Sequence, residues 1–253
     1  MNFCAQLQDE LKSCSNSVEE LQYIFFKYAK KILVDSVLLI GSLEIELTEI
    51  EFYYFDCKTH SDPYVHTDSL QKKTKNYLYV HKQCWNRGGI DITFGNGIYF
   101  GGILIRGIKY NGKFIAGPAT VKKYLNSKLN PNFKNHTDLQ KYFENIKDDI
   151  LLNKFSNKKY KVFSSVRVGL KEEKSKKYAN ALYRFAREDY LNEGKNINFE
   201  SYSNIKCRSM LKAISELANG IPEEDATQKT TIKKIKNNDT LIKYIIDFKN
   251  RTT

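Results

Sequence analysis

Helical spacing of apolar residues marks one segment near the start of the chain. Its apolar positions, three or four residues apart, are Leu21, Ile24, Phe25, Tyr28 and Ile32. Ser17 precedes Glu19 and Glu20, and a serine at such a place accepts a hydrogen bond from a free amide group in the first turn of a helix. The pattern predicts a helix over residues 17–32 that packs on the segment after it.

The spacing then changes to short runs that are typical of β-strands. Residues 37–40 and 43–55 are rich in β-branched, aliphatic and aromatic side chains, and Gly41-Ser42 separates them. These two runs predict the beginning of a twisted or curled sheet.

A polar stretch, residues 56–76, follows the second run and contains Pro63. It predicts a long loop across the end of the sheet, and long loops in compact domains are commonly functional. Three further β-rich runs follow at 77–81, 88–94 and 98–108. Asn96-Gly97 supplies the positive φ angles of a tight hairpin before the last run, so these segments predict an antiparallel meander.

The second half of the chain alternates between helical and strand-like patterns. The patterns favour helices at 119–125, around 139–155, at 207–218 and at 239–249, a strand at 161–170, and a helical or mixed segment at 171–187. Asn219-Gly220 is a helix-ending signal after the third of these helices. We interpret residues 1–190 as one α+β domain around a curved antiparallel sheet, and 191–253 as a helical, basic C-terminal extension packed on it.

Charge narrows the choice of partner. Lys and Arg number 41 against 29 Asp and Glu among the 253 residues, a formal net charge of +12 that is spread over the whole chain. A polyanion is the natural partner for such a chain, and nucleic acid is the commonest polyanion, although a protein can also be basic without binding one. The 17 Tyr and 15 Phe residues favour nucleic acid, since aromatic rings among basic residues stack on exposed bases.

Cysteine usage bears on the compartment. The cysteines, at positions 4, 14, 57, 84 and 207, form no CxxC pair, and their odd number argues against a closed disulfide framework or a thiolate zinc site. A reducing compartment fits this pattern. No segment reaches the about 18 apolar residues that span a bilayer, and Met1-Asn2-Phe3-Cys4 lacks the features of a signal peptide. We therefore expect a cytoplasmic, nucleoid-associated protein with no membrane partner.

Candidate chemistry is concentrated in Glu49-Ile-Glu51-Phe-Tyr53. Neighbours two apart on a strand share a face, so Glu49, Glu51 and Tyr53 point one way while the two residues between them point into a core. Asp62 and His66 follow closely. The bland interpretation of this run is a solvated sheet face. The functional one is a pocket that combines acid, imidazole and aromatic groups.

Several short motifs occur in one order over residues 29–187. They are Ala29-Lys-Lys-Ile-Leu-Val34, Glu49-x-Glu51-x-Tyr53, Asp62-x-x-x-His66, Tyr77-x-Tyr79, Gly102-Ile-Leu-Ile-Arg106, Gly117-Pro118-Ala119-x-Val121, Arg167-Val-Gly169 and Leu182-Tyr183-Arg184-Phe185. In this order the chain resembles a divergent member of the alkyladenine (methylpurine, 3-methyladenine) DNA glycosylase family. The alternative is a chance order of individually weak motifs.

The resemblance implies a fold and a reaction. The family has a single compact α+β domain around a curved antiparallel sheet, with a positively charged surface that faces double-stranded DNA. Its enzymes flip a damaged purine out of the duplex and hydrolyse the bond between base and deoxyribose, which leaves an abasic site. The resemblance therefore implies a monofunctional, monomeric DNA glycosylase for base excision, with no cofactor and no metal.

The resemblance also assigns roles to catalytic residues. Glu51 would be the general base that deprotonates the water attacking C1′, and its charge would stabilise the oxocarbenium-like sugar. Arg106 and the backbone carbonyl of Val168 match the positions that hold this water. Read from the residues alone, Arg106 and Glu51 could simply form a buried ion pair.

A second group of residues would hold the flipped base. By resemblance Tyr53 and Tyr79 sandwich it, and His66 lies at its other edge. Without the resemblance, the tyrosines could be core residues and His66 could cap a loop turn. Asp91 stands where the family has an asparagine that discriminates among purines. Because an ionised carboxylate only accepts hydrogen bonds, we expect either a preference for a base with an amino donor or a share in general-base duty for Asp91.

The residue that fills the vacated stack also differs from the family pattern. His81, Lys82 and Trp85 are the candidates for this wedge, and the residues leave the choice among them open. Arg87, in the added loop 86–89, is a candidate phosphate contact or part of a plain turn.

Three functions follow as hypotheses. The departures from the family suggest a specialised glycosylase, for example one that removes a modified base from invading phage DNA in antiviral defence. A non-catalytic nucleic-acid binder on the same fold would use the charge and the aromatic rings alone. A metal-dependent nuclease would gather oxygen-rich magnesium ligands from the set Glu49, Glu51, Asp62, Asp91 and His66.

Overall fold

Two long antiparallel strands, β2 (Leu43–Phe55) and β5 (Phe100–Tyr110), lie at the centre of the sheet. The structure is a computed structural model, and it describes residues 3–82, 88–130, 132–146, 150–154, 159–192, 210, 212–217, 219–222 and 224–252. The other strands are β1 (Ser36–Ile40), β3 (Lys75–Val80), β4 (Ile90–Phe94), β6 (Lys113–Ala116), β7 (Ile150–Lys154), β8 (Val162–Ser165) and β9 (Arg184–Arg187). The helices are α1 (Phe3–Ser13), α2 (Val18–Leu33), α3 (Ser69–Lys73), α4 (Pro118–Leu129), α5 (His136–Asn145), α6 (Lys176–Ala179), α7 (Glu188–Asn192), α8 (212–217), α9 (Lys229–Lys236) and α10 (Asp239–Thr252).

The sheet is antiparallel and open, which confirms the α+β class. Its strands run in the order β3-β4-β5-β2-β1-β7, with β6 beside β5 and with β9 between β2 and β8. The successive antiparallel pairs β3·β4 and β4·β5 confirm the predicted meander. Strand β2 pairs with β5 along one side, from Glu46 to Phe55, and with β1 and β9 along the other. It is therefore an inner strand of the sheet.

Strand β2 is buried on both of its faces. Ile50 and Phe52 lie in the main hydrophobic core, as the alternation predicts. Glu49 and Glu51 on the other face are 3% and 0% exposed. The interpretation of this run as a solvated sheet face is therefore wrong, and each buried carboxylate requires partners within the protein.

Helix α2 covers the apolar face of β2. The Ser17 side chain accepts a hydrogen bond from the Glu20 amide at 3.2 Å, which confirms the predicted cap. The ring of Phe25 stacks on that of Phe52, with centroids 4.5 Å apart and an interplanar angle of 12°. Burial of these large rings gives the strand a rigid support.

One predicted helix is wrong in its second half. The pattern predicts helix around 139–155, but α5 ends at Asn145 and residues 150–154 form strand β7. Strand β7 pairs with β1 from Ser36 to Ile40 at the edge of the sheet. The long loop predicted for 56–76 likewise contains helix α3 and the start of β3.

Helix α10 confirms the predicted helix at 239–249 and packs on α2. The rings of Phe26 and Phe248 lie 4.9 Å apart edge to face, and Lys243 forms an ion pair with Glu19 at 3.2 Å. The predicted helix at 207–218 is found at the described residues 212–217. The division of the chain near residue 190 stays a prediction. Within the described ranges, no helix has the length and apolar character to cross a bilayer.

Candidate active site

A cavity of about 720 Å³ opens over the polar face of β2. Its inner wall is formed by Tyr53 of β2, Gln71 of α3, His81 after β3, Asp91 of β4, and Leu104 and Arg106 of β5. Its rim is formed by residues 63–66, 117–120 and 168–170 and by Lys174. The volume lies within the range of about 300–1,000 Å³ that is typical of small-molecule sites, so it can hold a single heterocyclic base.

Glu51 lies directly behind the wall of this cavity. Its Oε2 accepts a hydrogen bond from the Tyr53 hydroxyl at 2.9 Å, and its Oε1 accepts one from the Val168 amide at 2.8 Å. The Nε of Arg106 is 3.4 Å from the same Oε1. Burial and the Glu51 carboxylate raise the pKa of the Tyr53 hydroxyl well above its usual value, so this hydroxyl stays a donor. The three partners of Glu51 all line the cavity.

The nearest carboxylate to Arg106 is Glu49. Oε1 of Glu49 is 2.9 Å from Nε of Arg106 and 2.6 Å from Nε of Arg184, and its Oε2 accepts from the Tyr190 hydroxyl at 2.8 Å. The arginine therefore bridges the two glutamates. Glu49, which the sequence offered as a candidate magnesium ligand, instead compensates two buried arginines.

Acid should remove the stability that Glu49 contributes. Burial alone would raise the pKa of Glu49, but Arg184 and Arg106 outweigh burial and lower it from 4.5 to about 2. Because the folded-state pKa lies below that of the unfolded chain, the contribution is complete above pH ~4.5 and is lost toward pH ~2, on the order of 3 kcal/mol. Urea unfolding at pH steps across this window measures the loss. A free energy of unfolding that stays flat across the window contradicts the assignment.

Tyr53 is held from one side by a second buried ion pair. Nη2 of Arg167 lies 2.7 Å from Oδ2 of Asp62, and both side chains are fully buried. The guanidinium of Arg167 lies 4.6 Å from the centre of the Tyr53 ring, within cation–π distance. Asp62 also accepts a hydrogen bond from the Tyr64 amide at 3.0 Å, so the pair links the rim loop to the strand that carries Glu51.

The start of helix α4 closes another side of the cavity. Gly117 has a φ of 93°, which favours glycine, and Pro118 stands in the first turn, where its missing N–H is not needed. The Gly117 amide donates to the carbonyl of Arg106 at 2.7 Å. The helix start is thereby fixed to the strand that carries the cavity arginine. Lys174, exposed at the rim, donates to the carbonyl of Pro63.

The structure does not bring Tyr79 to the cavity. Tyr79 is 3% exposed and is absent from the described residues of the cavity wall. The cavity wall includes His81 but not Tyr79, so the predicted sandwich of Tyr53 and Tyr79 is not present. The ring centroids of Tyr79 and His81 are 5.3 Å apart, so Tyr79 supports His81 from behind.

His81 belongs to a hydrogen-bonded row that includes Asp91. The Nε2 of His81 is 2.7 Å from Oδ1 of Asp91, and Nε2 of Gln71 donates to Oδ2 of Asp91 at 2.7 Å. Both oxygens of Asp91 are thus engaged, and the residue is 1% exposed. His66 lies at the rim with its ring 4.8 Å from that of His81, and burial together with His81 lowers the pKa of His66.

The wedge candidates fall in different places. His81 is buried in the wall, whereas Lys82 is exposed and pairs with Asp68 at 2.8 Å. Trp85 and Arg87 lie outside the described residues. The geometry favours Lys82 over His81 as a group that reaches out of the protein.

The acidic residues considered as magnesium ligands do not converge. Glu49 and Glu51 face Arg106, whereas Asp62 faces Arg167 and Asp91 faces His81. Among the residues that the structure describes, no three acidic, histidine or cysteine side chains form a group suited to a metal ion. Each of these four carboxylates instead faces a basic side chain, and Glu49 and Glu51 share Arg106.

Two functional residues had no signal in the sequence. Gln71 lies in a polar stretch with no periodicity, and it reaches Asp91 only through the fold. Arg167 stood in a quoted motif without a role, and its stacking on Tyr53 joins residues 114 positions apart (167 − 53). A buried, charged residue such as Arg167 is visible from sequence only once a matching buried acid is known.

No protein-family model matches this chain, and a search of curated proteins finds no significant match. The geometry of the cavity and the residue pattern thus carry the functional interpretation.

Proposed function

We propose that this protein is a monofunctional DNA glycosylase that flips a damaged or modified base into the cavity and hydrolyses its N-glycosidic bond. The observation that supports it best is the environment of Glu51: a carboxylate of zero exposure whose partners, Tyr53, Val168 and Arg106, all line one base-sized cavity. A carboxylate within reach of a cavity suits general-base activation of a water bound there.

The catalytic step needs one water between Glu51 and the sugar. An ionised carboxylate has about four acceptor sites, and the two hydrogen bonds from Tyr53 and Val168 leave acceptor sites that this water can use. Glu51 takes the proton of the water as its oxygen attacks C1′, and the base leaves with the bonding electron pair. Because Glu51 has no exposed surface, we expect the Tyr53 hydroxyl to move aside when the nucleotide enters. The negative charge of Glu51 then stabilises the developing sugar cation.

The proposal extends to fold and partner. The open antiparallel sheet with its covering helices suits the single-domain fold of the alkyladenine DNA glycosylases, which the motif order resembles. The net charge of +12 suits double-stranded DNA as the partner of a monomer in the cytoplasm. The altered wall around Asp91 suits a modified base, for example one in foreign DNA.

A strand-cleavage assay tests the proposal. Duplex oligonucleotides, each with one alkylated purine, one deaminated purine or one hypermodified cytosine, are incubated with the protein and then treated with alkali. We expect alkali-dependent cleavage at the modified position of at least one duplex, and the same yield in the presence of EDTA. Cleavage that EDTA abolishes and that needs no alkali would identify a nuclease. DNA binding with no abasic product on any duplex would identify a non-catalytic binder.

A further inference from the structure

Asp91 lines the cavity, but both of its carboxylate oxygens are already engaged by neighbouring side chains. Its Oδ1 is paired with His81 and its Oδ2 with Gln71, both at 2.7 Å, and it is 1% exposed. The sequence-based expectation was that this carboxylate itself reads the base. The structure instead places His81 and Gln71 beside Asp91 in the cavity wall, where each of them engages one oxygen of the carboxylate.

Gln71 lines the cavity and carries an acceptor that lacks a partner among the described residues. The amide nitrogen of Gln71 faces the Asp91 carboxylate, and the reversed amide would set two acceptor oxygens against each other. The other end of the amide, Oε1, is buried and has no hydrogen-bond partner among the described residues. An unpartnered buried acceptor is unfavourable, so a ligand with an N–H group at this place would satisfy it.

His81 offers a donor beside this acceptor. Its Nε2 is engaged with Asp91, and its Nδ1 has no hydrogen-bond partner within the described part of the chain. Burial lowers the pKa of His81, but the charge and hydrogen bond of Asp91 outweigh burial and raise it overall. Among the other facing groups, Lys122 lowers this pKa and Asp68 raises it, while His66 touches the ring. In the protonated ring Nδ1 donates a hydrogen bond, and in the neutral ring it accepts one.

Gly102 makes the row possible. A Cβ atom at this position would lie 2.6 Å from Oδ2 of Asp91 and 2.8 Å from Nε2 of Gln71. Both distances are shorter than real Cβ contacts allow. Any larger residue at position 102 would push the carboxylate of Asp91 and the amide of Gln71 apart.

We propose that Gln71 and His81 form a two-point reader, which selects a flipped base whose edge carries an N–H donor next to a carbonyl oxygen. Asp91 acts through both as a positioning residue: it orients the amide of Gln71 and holds the His81 ring with its donor edge toward the cavity. The inference rests on the proposed function only in that the ligand is a flipped base. A base with an amino group in place of the carbonyl would set its own N–H donor against the N–H donor of His81.

Free bases test the reader without any catalysis. Calorimetric titration compares hypoxanthine with adenine, and uracil with cytosine. The two bases of each pair have nearly the same size and differ at this edge. We expect the keto base of each pair to bind on the order of 10- to 100-fold more tightly, as is typical when one buried polar group stays unpaired. Equal binding, tighter binding of the amino base, or no measurable binding of any of the four bases would overturn the reader.

Variants test the contact that Gln71 makes with the base. Gln71→Leu should abolish the preference, whereas Gln6→Leu, the same change on helix α1 away from the cavity, should leave it intact. Gly102→Ala should act like Gln71→Leu, because it displaces the same hydrogen bond. A preference that survives in folded Gln71→Leu protein, judged by its circular dichroism, would remove Gln71 from the reader.

The pH profile tests the positioning role of Asp91. In the wild type the preference should be full at low pH and should fall as pH rises through the raised pKa of His81, because neutral Nδ1 becomes an acceptor. In Asp91→Asn the carboxylate no longer raises this pKa, so the fall should occur at lower pH. An unchanged profile in Asp91→Asn would mean that Asp91 does not act through His81.

The excision assay distinguishes the two proposals. A keto preference in free-base binding with no excision of any base would keep the reader and overturn the glycosylase. Excision that ranks amino-edged bases above keto-edged bases would keep the glycosylase and overturn the reader.

Discussion

Replacement of Glu51 by glutamine is expected to abolish base excision and to leave the protein folded. The amide of glutamine has the same size as the carboxylate, and its oxygen can still accept the hydrogen bond from the Val168 amide. It cannot take a proton from water at neutral pH. Loss of a general base costs typically 10²–10⁴-fold in rate, and we expect a loss on the order of 10³-fold or more because the negative charge beside the sugar cation is lost as well.

Single-turnover excision rates on the best duplex measure this effect. Glu44→Gln is the matched control, since Glu44 lies exposed on the same strand and undergoes the same chemical change. Its rate should equal that of the wild type. A Glu51→Gln rate within tenfold of the wild type would exclude Glu51 as the base and would make Asp91, a carboxylate in the cavity wall, the next candidate.

Replacement of Glu49 by glutamine is expected to damage stability first. Glu49 lies between Arg106 and Arg184, at 2.9 and 2.6 Å, and all of these side chains are buried. Removal of one partner from a buried ion pair costs about 3–5 kcal/mol, because the remaining charge is left uncompensated in the interior. Here two arginines lose their carboxylate at once, although Glu51 still faces one of them.

Urea unfolding at neutral pH measures this loss as a change in the free energy of unfolding. Glu44→Gln again serves as the control and should stay within about 0.5 kcal/mol of the wild type, as surface substitutions do. A loss below about 1 kcal/mol for Glu49→Gln would show that the arginines find other partners. Of the two variants on this strand, Glu51→Gln is thus expected to lower chiefly the excision rate, and Glu49→Gln chiefly the free energy of unfolding.

Local patterns predicted the elements whose residues interact within one segment. The cap at Ser17 and the apolar stripe of α2 are local, and the predicted helix matches the structure closely. The bounds of β2 follow from its own alternation and from Gly41, which has a φ of 56°. Strand β7 was missed because its short apolar run, Ile150 to Leu152, also fits a helix, and only pairing with β1 decides between them.

The residues of the cavity likewise divide into those that the sequence could identify and those that depend on contacts between distant segments. Tyr53, His66, Arg106, Val168 and Asp91 were named from the sequence, and all of them line the cavity. Tyr79 was misplaced because its ring packs against His81, and only the folded chain shows that His81 and not Tyr79 lines the cavity there. Gln71 was missed because its partner, Asp91, lies 20 positions away, and no local sequence pattern indicates that the two residues interact.

The guanidinium of Arg167 covers one face of the Tyr53 ring. A planar ligand can therefore stack on only the opposite face. The layers then follow a fixed sequence from the interior outward: the Asp62 carboxylate, the Arg167 guanidinium, the Tyr53 ring and the ligand. The Tyr53 ring would thus form the inner platform for a stacked base, and the buried ion pair of Arg167 and Asp62 would support that platform from behind.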